Sequence, residues 1–287
     1  MPRVLVTRTL PFPALDRLAE RHELIEDRAE AEGVLCLLTD RIDAGFLDQA
    51  PKLRVVSNFA VGADNVDLPE AKRRGIAVGV TPGVLTDATA DLTMALILAA
   101  TRGLPGAARD ARDGKWRTWE PAGWLGLELK GASLAVVGFG RIGQAVATRA
   151  EAFGMEVVPV RRNDPLPQAD VVSLHAPLTE ETRGMIGAKQ LRAMKPGTVL
   201  VNTARGGLID TEALVEVVRE GRITVALDVT DPEPLPPNHP LFALENALVV
   251  PHIGSATHAT RERMADLAVD SLLAGLDGRP LPHPAGG

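Results

Sequence analysis

The chain has no tyrosine, a single cysteine and only 3% aromatic residues in 287 positions. One cysteine excludes an internal disulfide framework and a cysteine-built zinc cluster. Cys36 lies within the apolar run GVLCLL and reads as a buried structural thiol. Basic charge is not in excess: 31 Lys and Arg stand against 37 Asp and Glu, for a formal net charge of −6. The clearest basic cluster is Lys72-Arg73-Arg74, so no nucleic-acid partner is expected. No apolar run approaches the roughly 20 residues of a membrane-spanning helix. The opening MPRVLVTRTL has too short an apolar stretch for a signal peptide. These absences lead us to expect a cytoplasmic protein with no membrane partner.

What is present is an alternation of short β-branched runs with helical segments. VLVT (4–7), VLCLL (34–38), LRVVSN (53–58) and IAVGV (76–80) read as strands, and PALDRLAERH as a helix between the first two. At Thr86 the pattern changes to a long, mostly buried helix, TDATADLTMALILAATRGL. A loop-rich stretch follows and holds all three tryptophans, Trp116, Trp119 and Trp124. They serve either local packing or a subunit interface, where tryptophan is enriched.

Further strands are expected at SLAVV (133–137), MEVVPV (155–160), DVVSL (170–174), TVLVN (198–202), TVALDV (224–229) and ALVVPH (247–252). Apolar runs that stop at polar, glycine or proline residues are the mark of central parallel strands. The fold expected is therefore α/β, with doubly wound parallel sheets. We expect residues 1–85 to begin a substrate domain, 86–254 to form a dinucleotide-binding domain and 255–287 to return to the first. DPEPLPPNHP (231–240), with five prolines, must be an ordered loop or stiff linker.

Gly138-Phe139-Gly140-Arg141-Ile142-Gly143 follows a strand and opens a helix, the context in which GxGxxG binds a dinucleotide. Gly138 permits the tight turn, Gly140 lets the backbone approach the pyrophosphate, and Gly143 lets helix and strand pack closely. The next strand does not end in the acid that binds a ribose 2′-hydroxyl. It ends in Arg161-Arg162-Asn163, and arginine there suits a 2′-phosphate, so NADP(H) is expected in preference to NAD(H). The competing reading leaves the arginines solvated and gives the ribose to Asp164.

Of six histidines, only His175 and His252 directly follow apolar strands of the expected nucleotide sheet, whose ligands bind at the strand carboxyl ends. The stretch VLVNTARGG (199–207) ends another such strand on Arg205, a guanidinium rarely placed without an anionic partner.

The set GFGRIG, VNTARGG, LDVTDPEP and VVPHIGSAT, in this order, resembles the D-isomer-specific 2-hydroxyacid dehydrogenase family across nearly the whole chain. VGVTPGVLTDATADL, GKWRTWEP, DVTDPEPLPPNHPLF and PHIGSATHATRERM are most similar to its glyoxylate/hydroxypyruvate reductase branch. That resemblance implies two Rossmann-like domains with the active site between them, a homodimer built mainly through the nucleotide-binding domain, and a small 2-oxo or 2-hydroxy acid as substrate. It makes Arg205 the substrate arginine, His252 the proton donor and Glu233 its partner in preference to Asp231. Val61 and Gly62 would offer amides to the substrate carboxylate. Thr89, Thr203, Asp228 and Gly254 would approach the cofactor, with His175 and Pro177 on the same side.

The implied chemistry is reduction of glyoxylate and hydroxypyruvate with NADPH. A guanidinium holds the carboxylate and polarises the ketone, and an imidazole kept protonated by a neighbouring carboxylate neutralises the growing oxyanion. Two alternatives are a D-3-phosphoglycerate dehydrogenase, with Arg8 or Arg54 for the phosphate, and a nucleotide-sensing protein without turnover. The chain is shorter than is usual for the family. Only RRNDPLPQ joins two strands of the nucleotide sheet, which predicts an abbreviated crossover.

Overall fold

The computed structural model describes residues 1–161 and 164–286. The chain forms two compact units, one of Met1–Leu85 with Ser255–Gly287 and one of Thr86–Gly254.

In the first unit, β1 (Arg3–Val6), α1 (Ala14–Arg21), β2 (Glu23–Ile25), β3 (Gly33–Cys36), α2 (Ala44–Asp48), β4 (Val55–Asn58), α3 (Leu68–Arg73) and β5 (Ala77–Gly79) alternate along the chain. The five strands are parallel in the order β2-β1-β3-β4-β5. β2 was not foreseen from sequence: its three residues, ELI, are partly exposed at the sheet edge and carry no apolar run. Asp43 and Asp67 start α2 and α3 by accepting the Phe46 and Glu70 amides, which satisfies donors the helix cannot pair itself.

The second unit opens with α4 (Thr86–Thr101) and α5 (Leu104–Arg112), then β6 (Ser133–Val137), α6 (Arg141–Ala152) and β7 (Glu156–Val160). It continues through β8 (Val171–Leu174), α7 (Ala188–Ala193), β9 (Val199–Asn202), α8 (Thr211–Arg219), β10 (Thr224–Leu227) and β11 (Ala247–Val249). All six strands are parallel, in the order β11-β10-β9-β8-β6-β7. α5 occupies part of the stretch expected to be loop, and Pro105 in its first turn is where a helix tolerates proline.

Side-chain alternation explains why the central strands read as unbroken apolar runs. Leu134 and Val136 of β6, with Val199 and Val201 of β9, pack on one face together with α4 residues Ala90, Met94 and Ile97. Ala135, Val137 and Leu200 point the other way, into a core shared with Leu191 of α7 and Leu214 and Val217 of α8. A strand covered on both faces has no reason to alternate polar with apolar.

β6 is followed on one side by β7 and on the other by β8, so the chain's direction of travel across the sheet reverses between β6 and β8. Ligands of open parallel sheets bind at such a reversal, beyond the strand carboxyl ends. No helix of the described residues lies between β7 and β8, in keeping with the abbreviated crossover.

The chain then adds α9 (His258–Leu276) to the first unit. Thr257 caps it through the Thr260 amide, and Ser57 of β4 bonds the Ala268 carbonyl at 2.7 Å. Small residues let α9 sit close to the sheet: a Cβ on Gly275 would stand 2.6 Å from Val55.

Candidate active site

The three fingerprint glycines meet three different surroundings. Gly138 has φ +90°, and a Cβ there would stand 2.5 Å from the Ala176 amide nitrogen. A Cβ on Gly143 would stand 2.3 Å from the Gly138 carbonyl oxygen, so the α6–β6 packing has no room for one. Gly140 differs, with open space in front of it. A bare backbone facing open space at a helix N-terminus is a cradle for an anion. Arg141 is exposed in the first turn of α6, whereas Ile142 turns back toward the core.

Arg161 leaves the carboxyl end of β7, and its amide donates to the Asp164 carboxylate at 2.8 Å. Asp164 is therefore engaged with the Arg161 backbone. Arg162, the second arginine expected at the cofactor, lies outside the described residues. His175 begins the loop after β8; its Nε2 is 2.8 Å from the Ser173 hydroxyl. Burial pushes this imidazole down to about 4, so it is neutral near neutrality and is a poor proton donor there. Pro177 is exposed and its carbonyl accepts the Thr182 hydroxyl at 2.7 Å.

The β9 strand ends on Asn202, fully buried, whose amide group folds the next turn. Its Nδ2 donates to the Arg205 carbonyl at 2.8 Å and its Oδ1 accepts the Ala204 amide at 3.0 Å. The Arg205 guanidinium donates through Nη1 to the Ala204 carbonyl at 2.8 Å. Gly206 then passes so near the next strand's loop that a Cβ would stand 2.0 Å from the carbonyl carbon of Thr230. Gly206→Ala should therefore lower the thermal midpoint sharply, with a stability loss of about 3 kcal/mol. An unchanged melting curve would contradict this packing.

Asp228, at the end of β10, is buried and pins the turn after β11. Its carboxylate accepts the Ile253 amide at 2.6 Å and the Gly254 amide at 2.8 Å, while its carbonyl accepts the His252 amide at 2.9 Å. Burial raises its pKa, only partly offset by those two amides and by the charge of His252. The turn holds His252 at φ +51°, a left-handed conformation rare outside glycine. A backbone outlier held by three hydrogen bonds is the kind of strain that accumulates where a side chain must be aimed.

That aim brings the His252 Nδ1 to 2.5 Å from Glu233 Oε1. Burial by itself would push Glu233 up, but the hydrogen bond and charge of His252, the Thr230 amide and the charge of Arg205 outweigh it. The net shift is downward, and Glu233 is a carboxylate near neutrality. Asp231, its rival two residues earlier, instead faces Arg183 at 3.6 Å. With Nδ1 committed to Glu233, Nε2 is the imidazole nitrogen left for another partner.

Thr89, Asp228 and Gly254 converge: a Cβ on Gly254 would lie 3.0 Å from the Asp228 carboxylate and 3.5 Å from the Thr89 hydroxyl. Thr203 is buried, and its hydroxyl is 2.9 Å from that of Thr93. Val61 and Gly62 follow β4 in the first unit; Val61 is exposed and the Gly62 carbonyl accepts from Asn58 at 2.9 Å. Arg54, a candidate for a substrate phosphate, precedes β4 at its amino end and is engaged with the Leu276 carbonyl and Glu32. Ligands of parallel sheets bind at the opposite ends, so Arg54 is misplaced for that role. Arg8 follows the carboxyl end of β1.

Among the described residues, no group of three or more His, Cys, Asp and Glu side chains could hold a metal. Nor is any helix long and apolar enough to cross a membrane. Asn202 was missed from sequence, because an asparagine at a strand end gives no signal beyond loop preference.

Residues 94–254 match the NAD binding domain of D-isomer specific 2-hydroxyacid dehydrogenases. The chain belongs to this family. A glyoxylate reductase of Korarchaeum cryptofilum is 44% identical over 315 positions, covering 98% of this chain and 95% of its relative. A solved structure of a Thermus thermophilus protein is 54% identical with a TM-score of 0.92, covering 99% of both chains. The NADPH-dependent glyoxylate/hydroxypyruvate reductase of Sinorhizobium meliloti, solved with NADP and malonate, is 32% identical with a TM-score of 0.89, covering 99% of this chain and 97% of that one. This D-2-hydroxyacid dehydrogenase is thus an enzyme that uses a nicotinamide dinucleotide. The sensing protein without turnover is set aside.

Proposed function

We propose that this dehydrogenase reduces glyoxylate to glycolate and hydroxypyruvate to D-glycerate, with NADPH preferred to NADH. The observation that carries the reading is the Glu233–His252 pair, at 2.5 Å, with the charge of Arg205 acting on the same carboxylate. When bound, the cofactor supplies a hydride to the carbonyl carbon.

The residues of the chain do the rest. Arg205 holds the substrate carboxylate and polarises the adjacent ketone through charge-assisted hydrogen bonds. Val61 and Gly62 offer backbone amides to that carboxylate. His252 donates the proton that neutralises the alkoxide, and Glu233, bonded to Nδ1, fixes the orientation of the imidazole. Gly138, Gly140 and Gly143, with Arg141 and Ile142, receive the pyrophosphate. Thr89, Thr203, Asp228, Gly254, His175 and Pro177 surround the rest of the dinucleotide. Arg161 and Arg162 favour a 2′-phosphate.

A homodimer through the nucleotide-binding unit completes the reading, together with a cytoplasmic setting. Trp116 and Trp119 are largely exposed, at 75% and 79%, while Trp124 packs over Gly103 and Gly106. Local packing thus accounts for only one of the three.

Cofactor oxidation followed by absorbance, with NADPH and NADH against glyoxylate, hydroxypyruvate, pyruvate and phosphohydroxypyruvate, tests substrate and cofactor together. The expected result is fastest NADPH oxidation with the first two acids. Equal or faster rates with NADH would overturn the cofactor preference, and a preference for phosphohydroxypyruvate would overturn the substrate assignment.

A further inference from the structure

Glu233 sits on an exposed turn, residues 231–234, with no strand or helix to hold it. Its carboxylate nevertheless has to meet His252 at hydrogen-bond distance. Two contacts are internal to the turn: the Thr230 hydroxyl donates to the Pro232 carbonyl at 2.9 Å, and the Thr230 amide donates to Glu233 Oε2 at 3.3 Å. Internal contacts fix the shape of a turn but not its position.

Beyond the Glu233–His252 hydrogen bond and the buried Leu235 that follows the turn, three contacts among the described residues reach outward. Gly206 lies against the Thr230 carbonyl and sets a closest approach without preventing departure. Arg183 faces Asp231 at 3.6 Å with both side chains more than half exposed, so solvent screens that attraction. The third is directional and short: the Thr211 hydroxyl donates to the Asp231 carbonyl at 2.7 Å. Thr211 is the first residue of α8, a helix whose N-cap, Asp210, is itself bonded to the Ala213 amide and whose inner face is buried in the core. The hydroxyl therefore projects from a rigid base onto the exposed turn that carries Glu233.

We propose that Thr211 is a positioning residue for proton delivery: its hydroxyl anchors the Asp231 carbonyl, which places the Glu233 carboxylate against the His252 imidazole. The inference rests on the reading of His252 as proton donor. Loss of the anchor lets the turn lift from α8, the carboxylate no longer holds one imidazole orientation, and proton transfer to the alkoxide becomes slower. Arg205 is tied by Asn202 to β9 and keeps its own position, as does the glycine turn after β6.

The test compares Thr211→Val, which keeps the shape and removes the donor, with Thr211→Ser, which keeps the donor, in the full-length enzyme. His252→Gln serves as reference. Thr211→Val should lower kcat for glyoxylate reduction about tenfold. It should also raise the solvent deuterium isotope effect on kcat and leave the glyoxylate KM and the NADPH Kd unchanged. Thr211→Ser should restore both kcat and the isotope effect. If Thr211→Val folds poorly, Thr211→Ala carries the same expectation. Wild-type kcat and isotope effect in Thr211→Val beside an inactive His252→Gln would overturn the anchor alone. A loss that Thr211→Ser fails to repair, or one matched by weaker NADPH binding, would overturn it too. Full turnover in His252→Gln would remove the reading on which the anchor rests.

Discussion

His252→Gln should lower kcat/KM for glyoxylate reduction by about 10²- to 10⁴-fold, the usual worth of a positioned general acid. Glutamine approximates the reach of histidine and can still hydrogen-bond Glu233, but it cannot give up a proton at neutral pH. Binding of NADPH should be unchanged, because the glycine turn after β6 owes nothing to His252. His175, the other strand-end histidine, is no substitute: burial keeps it neutral and Ser173 occupies its Nε2. A rate within a few-fold of wild type would mean that the proton comes from elsewhere, and steady-state kinetics in both directions at several pH values would show it.

Arg205→Ala should cost roughly 100-fold in kcat/KM, carried mainly by KM. Two charge-assisted hydrogen bonds to a carboxylate contribute about 1.5 kcal/mol each at the low end. The loss should fall mainly on KM, with a smaller fall in kcat from the lost polarisation of the ketone, because His252 and Glu233 remain paired without it. Arg205→Lys should recover little: a point charge cannot reproduce the fork that grips a carboxylate bidentately. The variant also removes a positive charge from Glu233, whose shift should become less downward. An unchanged KM for glyoxylate would leave the guanidinium without a substrate role.

Much of the fold is legible in the sequence. The strands β6, β8 and β9 were readable because burial on both faces forces short β-branched runs such as SLAVV and TVLVN, bounded by polar or glycine residues. The glycines of the nucleotide turn were readable because Gly138 and Gly143 stand where a Cβ would strike backbone, while Gly140 leaves the helix N-terminus bare. The edge strand β2 was not, since an exposed three-residue strand has no apolar signature to detect. α5 was hidden for a related reason: none of its residues is buried, so the sequence of that stretch records no core-facing period.

The pairing of Glu233 with His252 was recoverable from the motifs that carry them, but the supports beneath the candidate site were not. Thr211 works through a carbonyl that lies next to it only in three dimensions, and Asn202 through a local turn onto Ala204 and Arg205 that a strand-ending asparagine does not announce. Nothing in a threonine at the start of a helix distinguishes a capping role from a tether to a loop 20 residues away in the chain. The left-handed backbone of His252 was equally invisible, because it is imposed by Asp228 from a different strand.

The most direct test of the account is a crystal structure of the enzyme with NADPH and oxamate, an unreactive analogue of a 2-oxo acid. The account predicts the Arg205 guanidinium on the carboxylate of oxamate and the His252 Nε2 within about 3 Å of its amide carbonyl oxygen, with Glu233 still on Nδ1. Oxamate bound with its carboxylate away from Arg205, or an imidazole turned from the carbonyl, would contradict it.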